Sequence, residues 1–188
     1  PIRASVLAVP TYVAGAKPAG TEQLAWLASN ENPFEPVEAV QTAIVAAAAR
    51  VNRYPELIAS TLTAALAERH GVQQDQIVAG TGSVAVLAHA VQALADAEAD
   101  VVYPWRSFES YPILTGIAGA QAVHVPLGDN GRIDLGQVLD ALTPRTRIVI
   151  LCTPNNPTST ALQQTELVEF LKAAPADVAV FLDEAYAE

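Results

Sequence analysis

The sequence predicts an α/β fold, in which helices cover a mostly parallel sheet. From about residue 77 onward, short apolar runs alternate with segments of helical spacing, as in strands joined by crossover helices. The runs at 147–152 and 178–182 are almost continuously apolar, which is typical of strands buried on both faces. The sequence contains no internal repeat that would favour another architecture.

Local signals place the individual elements along the chain. Residues 1–30 carry scattered prolines and glycines with little periodicity, and they predict an extended N-terminal arm. An alanine-rich helix over 36–51 has Pro36 in its first turn, and a second helix over about 57–70 ends at Gly71. Later strands are predicted at 77–79, 100–103, 121–125, 147–152 and 178–182, and later helices at 83–95, 108–118, 134–141 and 163–173.

Composition narrows the class of protein. The chain has 188 residues, of which 51% are hydrophobic, enough to bury a sizeable core. A net charge of −10, with no run of lysine or arginine, argues against nucleic-acid binding. The single cysteine, Cys152, favours a reducing compartment, since it has no internal disulfide partner. No signal peptide or apolar stretch of roughly 20 residues is visible, so we expect a cytoplasmic protein without a membrane partner.

Four chemically distinctive segments follow predicted strands. In sheets of this kind the ligand lies at the carboxyl ends of the strands, so we expect the four segments to converge on one edge. They are residues 80–83, 104–111, 153–158 and 183–186.

Two of these segments suit a phosphate and a flat ring. The glycines of Gly80-Thr81-Gly82-Ser83 let the backbone approach an anion at a helix N-terminus, although a tight turn capped by Ser83 is the alternative. Residues 104–111 contain three aromatic side chains, and a planar ligand can stack on one of them. The alternative is that these side chains anchor the loop.

The other two segments suit the polar atoms of such a ring. The asparagines of 153–158 can donate to a phenolate oxygen, or can form a plain turn. Asp183 follows an apolar strand, and a buried acid there needs a partner such as a protonated pyridine nitrogen. The alternative is that Asp183 caps a helix or lies on the surface. Tyr186 can add a hydroxyl. Pyridoxal 5′-phosphate has the phosphate, ring, phenolate oxygen and ring nitrogen that the four segments require together.

Four motifs carry a resemblance to a known family. They are LASNENPFEP at 27–36, RYPE at 53–56, CTPNNPTST at 152–160 and FLDEAYAE at 181–188. With them the chain resembles the fold-type I aminotransferases, most closely the histidinol-phosphate aminotransferase group, while WRSFESYP at 105–112 also resembles the aromatic-specific branch. Ser159 stands where this family usually has glycine, and Val84-Ala85 replaces its more common Asn-Glu.

The resemblance implies a role for each matching residue. Those expected to bind the cofactor are Gly82 and Ser83 at the phosphate, Phe108 (or less favourably Trp105) on the ring face, Asn156 and Tyr186 at O3′, and Asp183 at N1. Tyr54 would reach the cofactor phosphate of the second subunit of a homodimer. Tyr12 and Asn32 lie in segments that resemble substrate-contacting parts of the fold.

The resemblance also implies an activity. It predicts transfer of an amino group between histidinol phosphate and 2-oxoglutarate in histidine biosynthesis, or alternatively transfer from an aromatic amino acid such as phenylalanine.

The lysine that holds the cofactor covalently in this family follows the aspartate–tyrosine motif, past residue 188. Lys17 lies in the arm and Lys172 near the end of an outer helix, so neither is predicted to be catalytic. Residues 31–188 would then form the first part of the large domain, without the rest of it or the small domain. We expect the 188 residues alone to be inactive, and a truncated, non-catalytic fragment is the remaining alternative.

Overall fold

The computed structural model describes residues 1–10 and 28–187, in two compact units. Among the described residues, the sheet unit comprises 1–10 and 80–187, and the helical unit comprises 28–79. Each unit is described separately below.

A four-stranded, fully parallel sheet forms the centre of the sheet unit and confirms the predicted fold class. Its spatial order is β2-β1-β3-β4. The chain therefore moves from β1 to one side and then returns to place β3 on the other side of β1. Such a reversal marks the point where open parallel sheets bind ligands, outside the carboxyl ends of the strands. The strands are β1 (Asp100–Trp105), β2 (Gln121–Pro126), β3 (Thr146–Cys152) and β4 (Ala179–Asp183).

Helices pack on both faces of this sheet. The α-helices of the described residues are α1 (Ala4–Leu7), α2 (Glu38–Ala48), α3 (Ser60–His70), α4 (Ser83–Leu94), α5 (Ser110–Ala118), α6 (Leu135–Asp140) and α7 (Gln164–Ala173). Successive side chains of a strand point to opposite faces, so β1 contributes Val101 and Tyr103 to a core with α4 and α5. Val102 instead joins a second core with α6 and α7.

The apolar sequence of β3 is explained by its position in the sheet. Ile148, Val149 and Ile150 are all fully buried because helices cover both faces. Each such side chain contributes about 1.5–3 kcal/mol relative to an exposed one. The continuous apolar run that predicts this strand is therefore a direct consequence of its two-sided burial.

The helical unit holds α2 and α3. Helix α3 ends at Gly71, which adopts φ +66°, the left-handed conformation that the predicted glycine stop requires. A 3-10 turn at Gln74–Gln76 follows, and the Gln74 amide donates to the Thr63 hydroxyl at 2.9 Å. Helix α2 begins later than predicted because Val37 is still extended.

Three local predictions are wrong. Helix α2 begins at Glu38 after the extended Val37, so Pro36 lies before the helix and not in its first turn. Residues 77–79, predicted as a strand, join no sheet ladder in the described chain, since an apolar run becomes a strand only beside a partner. Residues 4–7, predicted as extended, are helical. The Arg3 guanidinium donates to the Ile117 carbonyl oxygen at 2.7 Å, a tertiary contact at the end of α5 that local sequence does not reveal. Within residues 1–10 and 28–187, no helix has both the length and the apolarity needed to cross a membrane.

Candidate cofactor-binding site

A small cavity of about 70 Å³ lies at the carboxyl edge of the sheet. Side chains from all four predicted segments line it or flank it, so the predicted convergence is confirmed. The lining residues are Ser83, Phe108, Cys152, Asn156, Asp183, Ala185 and Tyr186. The roles of the individual residues toward a ligand stay predictions.

Asp183 is the acid of this cavity. It is the last residue of β4 and only 7% exposed. One carboxylate oxygen, Oδ2, accepts a hydrogen bond from the Tyr111 hydroxyl at 2.8 Å, and Oδ1 accepts one from the Ala185 amide at 3.2 Å. Both donors are neutral, and neither described ion pair of the sheet unit includes Asp183. A buried carboxylate of this kind is suited to a cation in the cavity.

Two further buried groups surround this carboxylate. Cys152 pairs with Asp183 in the register of β3 and β4, and its thiol donates to the Pro154 carbonyl oxygen at 3.3 Å. Burial raises the pKa of the Cys152 thiol, so it is neutral at physiological pH. Burial also raises the pKa of the Tyr111 phenol, and the charge that Cys152 would carry once deprotonated and the negative charge of Asp183 add to this effect. The phenol therefore remains a hydrogen-bond donor.

These raised pKa values predict that the fold loses stability at alkaline pH. Tyr103 also has a raised pKa because of burial. Between about pH 9 and 11 the unfolded chain releases protons that the folded chain retains on Tyr103, Tyr111 and Cys152, so the free energy of unfolding falls. Urea unfolding across this range measures the slope. Tyr103→Phe is expected to make it shallower, and an unchanged slope in that variant would contradict the interpretation.

The N-terminus of α4 forms an open concave corner beside the cavity. Gly82 precedes the helix with φ +85° and ψ 169°, a conformation that side chains with a Cβ rarely adopt. Apart from its chain neighbours, no atom of the sheet unit lies within 4 Å of where a Cβ would stand. No side chain caps this helix, whereas Asp134 caps α6. The first amides of α4 and the Ser83 hydroxyl are thus suited to an anion.

The two asparagines after β3 have different surroundings. Asn155 is buried, accepts a hydrogen bond from the Ser107 hydroxyl at 2.7 Å, and donates to the Thr158 hydroxyl at 2.9 Å. It ties the loop after β1 to the loop after β3. Asn156 lines the cavity instead, and its amide donates to the Tyr186 hydroxyl at 3.4 Å.

Four other predicted site residues are Trp105, Tyr54, Asn32 and Tyr12. Trp105 stacks on His124 with ring centroids 5.1 Å apart, so of the two candidate stacking rings only Phe108 borders the cavity. Tyr54 is exposed in the helical unit. In the same unit, the Asn32 side chain accepts a hydrogen bond from the Phe34 amide at 3.0 Å. Tyr12 lies outside the described residues, and the roles of these residues stay predictions.

The prediction that neither lysine of the chain is catalytic stays a prediction. Lys172 is exposed in the last turn of α7 and does not line the cavity, and Lys17 lies outside the described residues. None of the residues around the cavity therefore supplies an amine.

Sequence reasoning missed two residues of the site. Tyr111 is the second residue of α5, three positions after Phe108, yet only its bond to Asp183 reveals its importance. Cys152 ends β3 opposite Asp183, and a register prediction would have been needed to find it.

Residues 22–188 match the family model described as aminotransferase class I and II. The chain belongs to this family. The match confirms the resemblance drawn from the motifs, and the predicted cofactor, pyridoxal 5′-phosphate, is confirmed at the level of the family.

Named relatives and a solved structure support this membership. The chain is 49% identical to an aromatic amino acid aminotransferase of Thermobifida fusca and 45% identical to one of Streptomyces coelicolor, in both cases over all of this chain and 52% of the relative. It also superposes, with a TM-score of 0.80 and 30% identity, on histidinol-phosphate aminotransferase of Sinorhizobium meliloti in complex with pyridoxal-5′-phosphate. That match covers 85% of this chain and 43% of the other. The chain thus spans about half the length of these relatives.

Proposed function

We propose that the whole protein containing this chain is a pyridoxal-phosphate-dependent aminotransferase, and that the cavity beside β4 receives the cofactor ring. The observation that carries this proposal is Asp183, a buried carboxylate that lines a cavity and whose two donors among the described residues are both neutral. A protonated pyridine nitrogen supplies the charge that this environment lacks.

The other residues of the cavity fit the remaining parts of the cofactor. Phe108 offers an aromatic face, while Asn156 and Tyr186 offer an amide and a hydroxyl suited to the ring oxygen. The amides at the start of α4, with Gly82 and Ser83, offer donors for the phosphate.

Each of these residues then has a distinct task. When bound, the cofactor supplies an electron sink for the α-carbon of the amino acid. Asp183 keeps a proton on the ring nitrogen, and its negative charge makes that proton more strongly held. Phe108 and the α4 amides orient the ring and the phosphate, so that the reacting group is held in one position.

For the substrate, we infer an aromatic amino acid, with 2-oxoglutarate as the acceptor and a homodimer as the assembly. The names of the relatives at 49% and 45% identity support the aromatic substrate, while the acceptor and the homodimer come from the resemblance of the motifs. Histidinol phosphate, the first expectation from the motifs, is the second candidate, and the Sinorhizobium meliloti protein of that name at 30% identity favours it. The assignment of residues 31–188 to one large domain stays a prediction.

A direct competition between the two substrates tests this inference. With 2-oxoglutarate as acceptor, the whole protein is expected to show a kcat/KM for phenylalanine at least about tenfold above that for histidinol phosphate, equivalent to ~1.4 kcal/mol. A preference for histidinol phosphate would refute the aromatic substrate but retain the family chemistry. Failure to bind pyridoxal phosphate and to transfer from either donor would refute the proposed function itself.

A further inference from the structure

The strongest unassigned contact of the site is the hydrogen bond from Tyr111 to Asp183. Both residues are buried, and the phenol oxygen lies 2.8 Å from Oδ2 of the carboxylate. Tyr111 is in the first turn of α5, while Asp183 ends β4. The bond therefore joins two elements that are 72 residues apart in the chain.

The two donors together hold both oxygens of the carboxylate. Tyr111 donates to Oδ2 and the Ala185 amide donates to Oδ1. Hydrogen bonds to an ionised carboxylate favour its charged form and restrict its rotation. Asp183 also lines the cavity, so the lone pairs that these donors leave free are available to a group bound there.

The Tyr111 ring does not move easily. Its centroid lies 5.8 Å from that of Tyr103 and 5.8 Å from that of Phe108, both in edge-to-face geometry. The hydroxyl of the Thr115 side chain, one turn further along α5, donates to the Tyr111 carbonyl oxygen at 2.8 Å. A donor packed in this way restricts the position of the oxygen that it bonds.

We propose that Tyr111 is a positioning residue, which holds the Asp183 carboxylate oriented toward the ring nitrogen of the cofactor. The inference rests on the proposed function. It concerns a residue that never touches the cofactor in this proposal and acts only through Asp183.

Tyr103 provides a matched control in the same core. It is as fully buried as Tyr111, and its hydroxyl lies 2.9 Å from Nε2 of His124 rather than from Asp183. Tyr111→Phe and Tyr103→Phe each remove one buried phenol oxygen and keep the ring. Only the first removes a donor from the acid of the cavity.

The test measures cofactor binding to the whole protein and the protonation of the cofactor's ring nitrogen. Equilibrium dialysis gives the dissociation constant of pyridoxal phosphate, and the ¹⁵N shift of ring-labelled cofactor gives the pH at which that nitrogen loses its proton. Tyr111→Phe is expected to weaken binding about tenfold and to lower that pH by about one unit, the size expected for a hydrogen bond to a charged group. Tyr103→Phe is expected to change neither quantity. Cys152, the other titratable group beside the pair, is unchanged in both variants.

A second comparison separates action through Asp183 from a purely structural role. In an Asp183→Asn background, adding Tyr111→Phe is expected to cause no further loss of affinity. If Tyr111→Phe alone fails to fold, because it leaves a buried charge without its donor, the double variant is still expected to fold and to bind as Asp183→Asn does.

A further loss in the double variant would overturn the proposal, as would a Tyr111→Phe protein with the binding and titration of the unmodified protein. If the unmodified protein binds no pyridoxal phosphate, the proposed function fails first.

Discussion

Replacing Asp183 with asparagine is expected to lower the rate of amino transfer by the whole protein at least about 100-fold, the loss typical of removing one preorganised electrostatic contact. Asparagine keeps the shape of the side chain but has no negative charge to hold a proton on the ring nitrogen. The remaining donors, Tyr111 and the Ala185 amide, would still face a neutral oxygen and nitrogen. Single-turnover measurement of amino transfer from phenylalanine reports the loss.

The control for this variant is Asp177→Asn. Asp177 is exposed just before β4 and lies outside the cavity, so its loss of charge should leave the rate unchanged. Full activity in the Asp183→Asn protein would refute the role given to that carboxylate.

Replacing Gly82 with alanine is expected to weaken binding of pyridoxal phosphate about tenfold or more. An alanine there must adopt φ +85° and ψ 169°, a conformation that costs roughly 1–3 kcal/mol. The added methyl group also occupies the open corner at the start of α4, where we place the phosphate. Fluorescence titration of the whole protein with the cofactor measures the change.

Gly119→Ala separates backbone strain from damage to the site. Gly119 ends α5 with φ +91°, and the nearest atom to an added Cβ would be Oγ of Ser5 at 3.8 Å. This variant should lose stability but keep its affinity for the cofactor. If Gly82→Ala binds pyridoxal phosphate as tightly as Gly119→Ala does, the phosphate does not lie at this corner.

The parallel sheet could be predicted because each of its strands has a recognisable pattern in the local sequence. Burial on both faces demands a continuous apolar run, as in β3, and the chemistry-bearing segments then follow at the strand ends. The order β2-β1-β3-β4 could not be predicted in the same way, since connection lengths do not say on which side a returning strand is placed. The apolar run at 77–79 shows the limit of this signal. Its composition suits a strand, but it pairs with no other strand among the described residues.

The residues of the site that line the cavity could be predicted from the sequence. Those that contact only other buried side chains could not. Phe108 and Asn156 follow strands within a few residues, and Asp183 ends a strand, so their position along the chain marks them. Tyr111 and Asn155 act through buried hydrogen bonds to partners on distant elements, and the sequence contains no signal for those pairings.

The order of the strands along the chain sets the order in which the parts of this site are synthesised on the ribosome. Ser83 and Tyr186 are 103 positions apart, and at ~5–20 residues per second the chain needs roughly 5–20 s to pass from one to the other. The start of α4 and Phe108 are synthesised first. Strand β4, which carries Asp183, follows them and pairs only with β3 in the described sheet. A nascent chain consequently acquires Asp183, the acid of this cavity, only after β1, β2 and β3 have been synthesised.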